Sequence, residues 1–271
     1  MDKSRIKRRI IDNKIVRVLS YPYINYKHIK DKKNYIRTGY GKTIRKFKNM
    51  YKGERCIIVA NGPSLRHEDL EKIKSSNIKS FGMNHIYDLF NVVDWRPDFY
   101  ICFDREFIAD KYSEICNLPI DNIFIEYSKI PKSKDIVKQN VYYFFSDYVF
   151  AIKRGTAITN HVCTELEKET SFVTNVTHLC IEFAIYMGFK EIYLIGVDHD
   201  YSFGYGKNHV KGISEGKHND EKHYVNSDMN VSQIKFRQYE EYAKKNNIKI
   251  FNATRGGKLE VFERINIDNL L

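Results

Sequence analysis

The sequence lacks most of the features that settle a protein's class at once. No apolar run approaches the ~18–20 residues that a membrane-spanning helix needs, and the charged N-terminus has no apolar h-region of a secretory signal. No C-x-x-C pair occurs, and the cysteines (Cys56, Cys102, Cys116, Cys163 and Cys180) number an odd five. That argues against a disulfide framework and a structural zinc site, and fits a reducing cytoplasm. Most sit in apolar runs and read as small buried hydrophobes. Neither G-x-G-x-x-G nor G-x-x-x-x-G-K-[ST] is present, so two familiar phosphate loops are excluded. There is no internal repeat or low-complexity tract.

What is there suits one sizeable α/β domain: 271 residues, 42% hydrophobic and 14% aromatic. The formal net charge is +11, but residues 1–50 hold +13 and the remainder −2. The basic character therefore belongs to one segment, and the expected division is 1–50, a basic N-terminal segment, and 51–271, the folded domain. From Lys3 to Leu19, Ile6, Ile10, Ile11, Ile15, Val18 and Leu19 fall at roughly helical spacing among the basic residues. A basic amphipathic helix fits a solvated helix docked on the main domain or an anchor on an anionic membrane surface. Nucleic-acid binding finds no supporting module. Residues 20–50, rich in Tyr and Lys, carry no clear assignment.

From Cys56 onward, strand and helix patterns alternate. Cys56–Ala60 is a short continuous apolar run, as in a buried parallel strand. It ends in the turn cluster Asn61-Gly62-Pro63-Ser64, and Leu65–Ile73 reads as a helix with Ser64 as N-cap. Further strands are expected at Lys79–Met83, Asp98–Phe103, Asn122–Tyr127, Val141–Phe145, Glu191–Val197 and Ile248–Phe251. Helices are expected at Thr177–Met187, stopped by Gly188, and at Ser232–Lys245. The pattern predicts a Rossmann-like α/β fold, a mostly parallel sheet with helices on both faces.

In such sheets ligands bind outside the carboxyl ends of the strands. That rule selects Asn61, Gly62, Pro63, Ser64, Asn84, Asp104 and Asp198. Gly62 would let a ligand approach the backbone, and Ser64 with nearby amides would donate to an anion. Thr174 and Asn175, before the Thr177 helix, form a second donor cluster, or plain caps. Asp198-His199-Asp200 is either a D-x-D metal–diphosphate site or a strand end whose Asp198 meets a ribose. Residues 202–224 look like a loop that closes over a site, with His209, His218 and His223 as candidate bases.

Four stretches together resemble a known family. They are Asn61-Gly62-Pro63-Ser64-Leu65, Arg96-Pro97-Asp98-Phe99 through Asp104, Gly188 through Asp198, and Asn252-Ala253-Thr254-Arg255-Gly256-Gly257. They resemble the 6-hydroxymethylpterin diphosphokinase-like family, which includes motility accessory factors and proteins tied to lipopolysaccharide and capsule synthesis. The resemblance covers roughly residues 51–265. The same motifs are similar to those of bacterial lipo-oligosaccharide sialyltransferases. That likeness implies nucleotide contacts at Asn61, Gly62, Ser64, Asn84, Asp104 and Asp198, with Tyr201 and Tyr205 near the phosphate. His223-Tyr224 matches an H-Y pair of that family, whose catalytic histidine position four residues on holds Ser227 here, so either His223 takes the role of base or that role has moved.

The expected function is a glycosyltransferase, its favoured donor a CMP-linked acidic sugar and its acceptor a surface polysaccharide or glycoconjugate. The alternatives are an ATP-dependent pterin diphosphokinase and a non-catalytic nucleotide-binding protein. No cofactor is expected, with Mg²⁺ or Mn²⁺ needed only for a diphosphate donor or ATP. The expected location is cytoplasmic, at the inner membrane face, with no nucleic-acid partner.

Overall fold

The computed structural model describes residues 14–131, 138–147, 162–171, 173, 175–200, 209–213 and 225–271. Eight strands form one sheet in the order β5-β4-β3-β2-β1-β6-β7-β8. They are β1 (Arg55–Val59), β2 (Lys79–Met83), β3 (Phe99–Cys102), β4 (Ile123–Glu126), β5 (Val141–Phe144), β6 (Glu191–Ile195), β7 (Lys249–Asn252) and β8 (Glu263–Arg264). Every pairing is parallel. The expected Rossmann-like α/β fold is therefore present, with each predicted strand found within a few residues.

The sheet is buried on both faces, which is why its strands read as unbroken apolar runs. Alternate residues of β1 serve two cores. Cys56 and Ile58 join α5 (Val176–Met187) and α6 (Val225–Lys245), while Ile57 and Val59 join α3 (His67–Ser75) and α4 (Arg105–Ile115). α5 carries buried side chains all round and stops at Gly188, whose φ of 93° suits a residue without Cβ. All five cysteines are free and buried. Among the described residues no helix is long and apolar enough to cross a membrane.

The expected N-cap is corrected. The helix after β1 starts at His67, with Arg66 rather than Ser64 in the N-cap position. Ser64 instead turns toward the end of β6, drawn by a carboxylate far away in sequence. Residues before and after position 50 share one core. α1 (Lys14–Thr38) and α2 (Tyr40–Arg45) lie against the β5 edge, with Tyr35, Ile44 and Phe47 buried in this part of the chain. The Phe47 ring meets Tyr142 at 4.9 Å and Phe124 at 5.0 Å, both edge-on. The early part of the expected anchor helix, residues 3–13, lies outside the described residues.

The C-terminus is strapped back by charge. Arg255 bonds the buried Asp69 of α3 at 2.9 Å and Asp268 at 2.8 Å. Bonded to Arg255 and Lys72, the Asp268 carboxyl is held well below the usual carboxylate range. From the packing of Phe47 we expect Phe47→Ala to cost ~3–5 kcal/mol in urea unfolding. Ile36→Ala, 63% exposed, should stay within about 0.5 kcal/mol of the parent. Equal midpoints for Phe47→Ala and the parent would show that residues 40–50 are not part of the core.

Candidate active site at the β1–β6 switch point

The chain runs outward from β1 through β2 to β5, then returns to place β6 on the other side of β1. The strand order thus reverses between β1 and β6, and a crevice opens at their carboxyl ends. Asn61-Gly62-Pro63-Ser64 leaves β1 there, and Asp198 leaves β6. Ser64 donates to Asp198 Oδ2 through its hydroxyl at 2.8 Å and its backbone N–H at 3.3 Å. Gly62 donates to Gly196 O at 2.9 Å. A Cβ on Gly62 would sit 1.9 Å from Asp198 Oδ2 and 2.4 Å from Gly196 O. Only glycine fits, because the two strand ends touch there.

Asn61 is anchored but not satisfied. Its Nδ2 donates to Met83 O at 3.3 Å, and its backbone O accepts from Val210 N–H at 2.8 Å. Its Oδ1 is buried and has no partner among the described residues. A buried, unmatched acceptor is costly unless a ligand or water supplies a donor. The Val210 bond, with Val210 and Ile213 buried, pins residues 209–213 over the end of β1.

The turn after β7 builds the other wall. Thr254 Oγ1 accepts from Val197 N–H at 3.1 Å, and Lys258 N–H donates to Asp198 O at 2.7 Å. Gly257, at φ 75°, lies so close that a Cβ would be 2.6 Å from Asp198 O. The Asn252–Gly257 motif therefore shapes the Asp198 loop. Burial raises the Asp198 carboxyl above its usual range, against the bonds from Ser64 that pull it down. Asp200 pairs with Lys258 at 3.0 Å, so the two acids of the D-x-D triplet engage different groups. Between them His199 is 8% exposed with a positive φ of 49°, a conformation held by its surroundings. Burial lowers its pKa, while Asp200 pulls upward.

Other selected residues carry structural duties. Asn84 Oδ1 accepts from Phe103 N–H at 3.1 Å, tying the ends of β2 and β3 together. Asp104 caps α4 by accepting from Phe107 N–H at 2.8 Å. Asn175 caps α5 through His178 N–H at 3.2 Å and donates to Ser232 Oγ at 3.0 Å. Thr174, Tyr201, Tyr205, His218 and His223 lie outside the described residues.

Two further groups near the crevice are not among the residues selected by the strand-end rule. His85, directly after Asn84, pairs with Asp88 at 3.6 Å and lies tilted against the Phe107 ring with centroids 3.9 Å apart. A histidine beside a carboxylate at a strand end was visible as H-x-x-D. Behind the α5 N-terminus lies a buried polar cluster. His178 Nε2 meets Ser232 Oγ at 3.2 Å, Lys235 donates to Ser171 Oγ at 3.1 Å, and Ser171 donates to Glu182. Its members come from two helices distant in sequence and from Ser171 before the first of them, and no local pattern marks them. A cavity of about 260 Å³ lies elsewhere, at the amino ends of β2 and β3, lined by Lys74, Lys79, Trp95 and Arg96. Its cations are engaged, Lys79 by Asp98 and Arg96 by the carbonyls of Phe90, Val93 and Trp95.

Residues 26–204 match the family described as 6-hydroxymethylpterin diphosphokinase MptE-like. The chain belongs to this family. A solved structure of the MAf glycosyltransferase from Magnetospirillum magneticum AMB-1 matches with a TM-score of 0.51 and 17% identity. The match covers 86% of this chain but 39% of that one, so the chain spans well under half of that protein. The likeness is one of fold. The sialyltransferase CstII from Campylobacter jejuni, solved in complex with a substrate analogue, cytidine-5'-monophosphate, matches with a TM-score of 0.39 and 16% identity over 79% of this chain and 85% of that one. No curated protein matches.

His178 supplies a pH test of the cluster. Burial, reinforced by Lys235 and His199, holds its pKa well below 6.5. The unfolded chain takes a proton here near pH 6.5 and the folded protein does not, so this group's contribution falls as pH drops below about 6.5. The raised Glu182 and Asp198 carboxyls act in the opposite sense, so the comparison is between proteins. His178→Leu should narrow its stability gap to the parent, or overtake it, between pH 7.5 and pH 5.5 in urea unfolding. A gap that is constant or widens would contradict the buried neutral imidazole.

Proposed function

We propose that the chain is a glycosyltransferase that holds a nucleotide-activated sugar in the cleft between β1 and β6. The observation that carries this is the buried, unpartnered Oδ1 of Asn61 beside Gly62, at the switch point. An acceptor there suits a ligand with an amino or hydroxyl donor, such as a base or ribose. The fold shared with the MAf glycosyltransferase is compatible with the reading, although one fold hosts many reactions. CMP-linked acidic sugars are the favoured donors, on the sequence likeness to sialyltransferases, and a surface polysaccharide or glycoconjugate is the acceptor class.

In this reading Asn61 to Ser64 and the N-terminus of α5 hold the donor. The acceptor hydroxyl oxygen bonds to the anomeric carbon, the bond from that carbon to the phosphate oxygen breaks, and His223 takes the hydroxyl proton. The nucleotide monophosphate leaves, with Tyr201 and Tyr205 offsetting its charge. A monophosphate leaving group does not require a cation bridge between two phosphates, so Asp198-His199-Asp200 serves as a wall of the cleft. The second reading, a pterin diphosphokinase, is favoured by the family's description and needs ATP with Mg²⁺.

A thermal-shift series with CMP, CDP, UDP, GDP, ADP and ATP separates the two. A cognate nucleotide at about 100 times its Kd stabilises by about 2.7 kcal/mol. We expect CMP to act without metal and Asn61→Ala to weaken it. His223→Ala should lower kcat by ~10²–10⁴ with binding nearly unchanged. Stabilisation by ATP alone, dependent on Mg²⁺, would support the kinase instead.

A further inference from the structure

Helix α1 has two unlike sides. The inward side carries Tyr35 and His28. Tyr35 donates to Tyr143 O at 3.1 Å and lies against Tyr127 and Phe145, with ring centroids 5.6 and 5.7 Å away. His28 meets Phe145 at 5.2 Å, and Lys32 pairs with Glu169 at 2.6 Å. Tyr127 and Phe145 follow the last residues of β4 and β5. The helix is therefore fixed across the carboxyl end of the sheet edge, the end that carries the cleft.

The outward side is apolar. Val18, Leu19, Tyr23, Tyr26, Ile29 and Ile36 are 61, 75, 71, 65, 44 and 63% exposed. On a regular α-helix these six span an arc of about 140°, opposite Tyr35 and His28. Isolated exposed hydrophobics are ordinary, but a stripe of this length on a helix already fixed by its other side marks a contact surface. Lys30, Lys33 and Arg37 are exposed within the same arc and Lys27 beside it. Asp31 is the one acidic residue of the helix, so the face is positive as well as apolar.

We propose that this face of α1 docks on an anionic phospholipid bilayer. The charge decides among occupants. Lysine and arginine stems extend along apolar surface and carry their charges to a phosphate layer, while tyrosines settle at the headgroup level. A second copy of the same face would bring like charges together. The contact does not depend on the transfer reaction, since it lies on the outward side of α1 and uses no residue of the cleft.

The test is flotation of the full-length protein with vesicles of equimolar phosphatidylcholine and phosphatidylglycerol, and with phosphatidylcholine alone. Truncation at residue 50 would remove core residues, so point variants are required. We expect the protein to float with the anionic vesicles, less so as salt rises. Leu19→Glu with Tyr23→Glu should abolish flotation, and Lys30→Glu with Lys33→Glu should weaken it by at least about five-fold for each lysine removed. Val92→Glu, at a residue 62% exposed elsewhere, should float like the parent, and melting temperatures should match across the set. Absence of flotation, or equal flotation of the Leu19/Tyr23 variant, would overturn the proposal. So would a dimer in sedimentation that this variant breaks, which would assign the face to a second copy.

Discussion

The Asp198 carboxylate, held by Ser64 and pressed against Gly62, fixes how far apart the ends of β1 and β6 can lie. Both bonds run to one oxygen, at 2.8 and 3.3 Å, and Gly62 leaves no room for a side chain between them. From the β7 side, Gly257 and Lys258 close on the Asp198 backbone. These contacts hold three strand ends in one small polar region. The Asn61 side chain enters that region with its amide nitrogen bonded and its oxygen open. The rest of the cleft is built around this constraint.

The same constraint separates residues that hold the site from residues that can meet a ligand. Asn84, Asp104 and Asn175 satisfy loop and helix-end groups. Each such bond answers an otherwise orphaned donor near the crevice, which keeps the strand ends rigid. His199, buried at positive φ, belongs with Asp198 in the wall. Beneath it the cluster of His178, Lys235 and Glu182 ties α5 to α6, the helix that begins after residues 201–224.

Much of this was legible in the sequence where the physics is local. Parallel strands buried on both faces appear as short apolar runs, and Cys56–Ala60 and Glu191–Val197 announced β1 and β6. Gly188 marked the end of α5. Local signals mislead where a distant partner outweighs them. Ser64 looked like a helix cap until Asp198, 134 residues away, claimed its hydroxyl. Residues 20–50 gave no assignment because a basic surface and an apolar outer stripe obscured the few inward residues, Tyr35, Ile44 and Phe47. The Asn252–Gly257 motif was recognised by its letters, but its role in shaping the Asp198 loop came only from the fold.

The central claim is that a nucleotide binds between β1 and β6, with Asn61 supplying an acceptor. It is tested most directly by ¹⁵N chemical-shift mapping of the full-length protein during titration with CMP and, separately, with ATP and Mg²⁺. The account predicts that the Asn61 side-chain amide and the Gly62, Ser64 and Asp198 backbone amides shift together and saturate on one binding curve with CMP. Shifts confined to Lys79, Trp95 and Arg96, at the opposite end of the sheet, would contradict it.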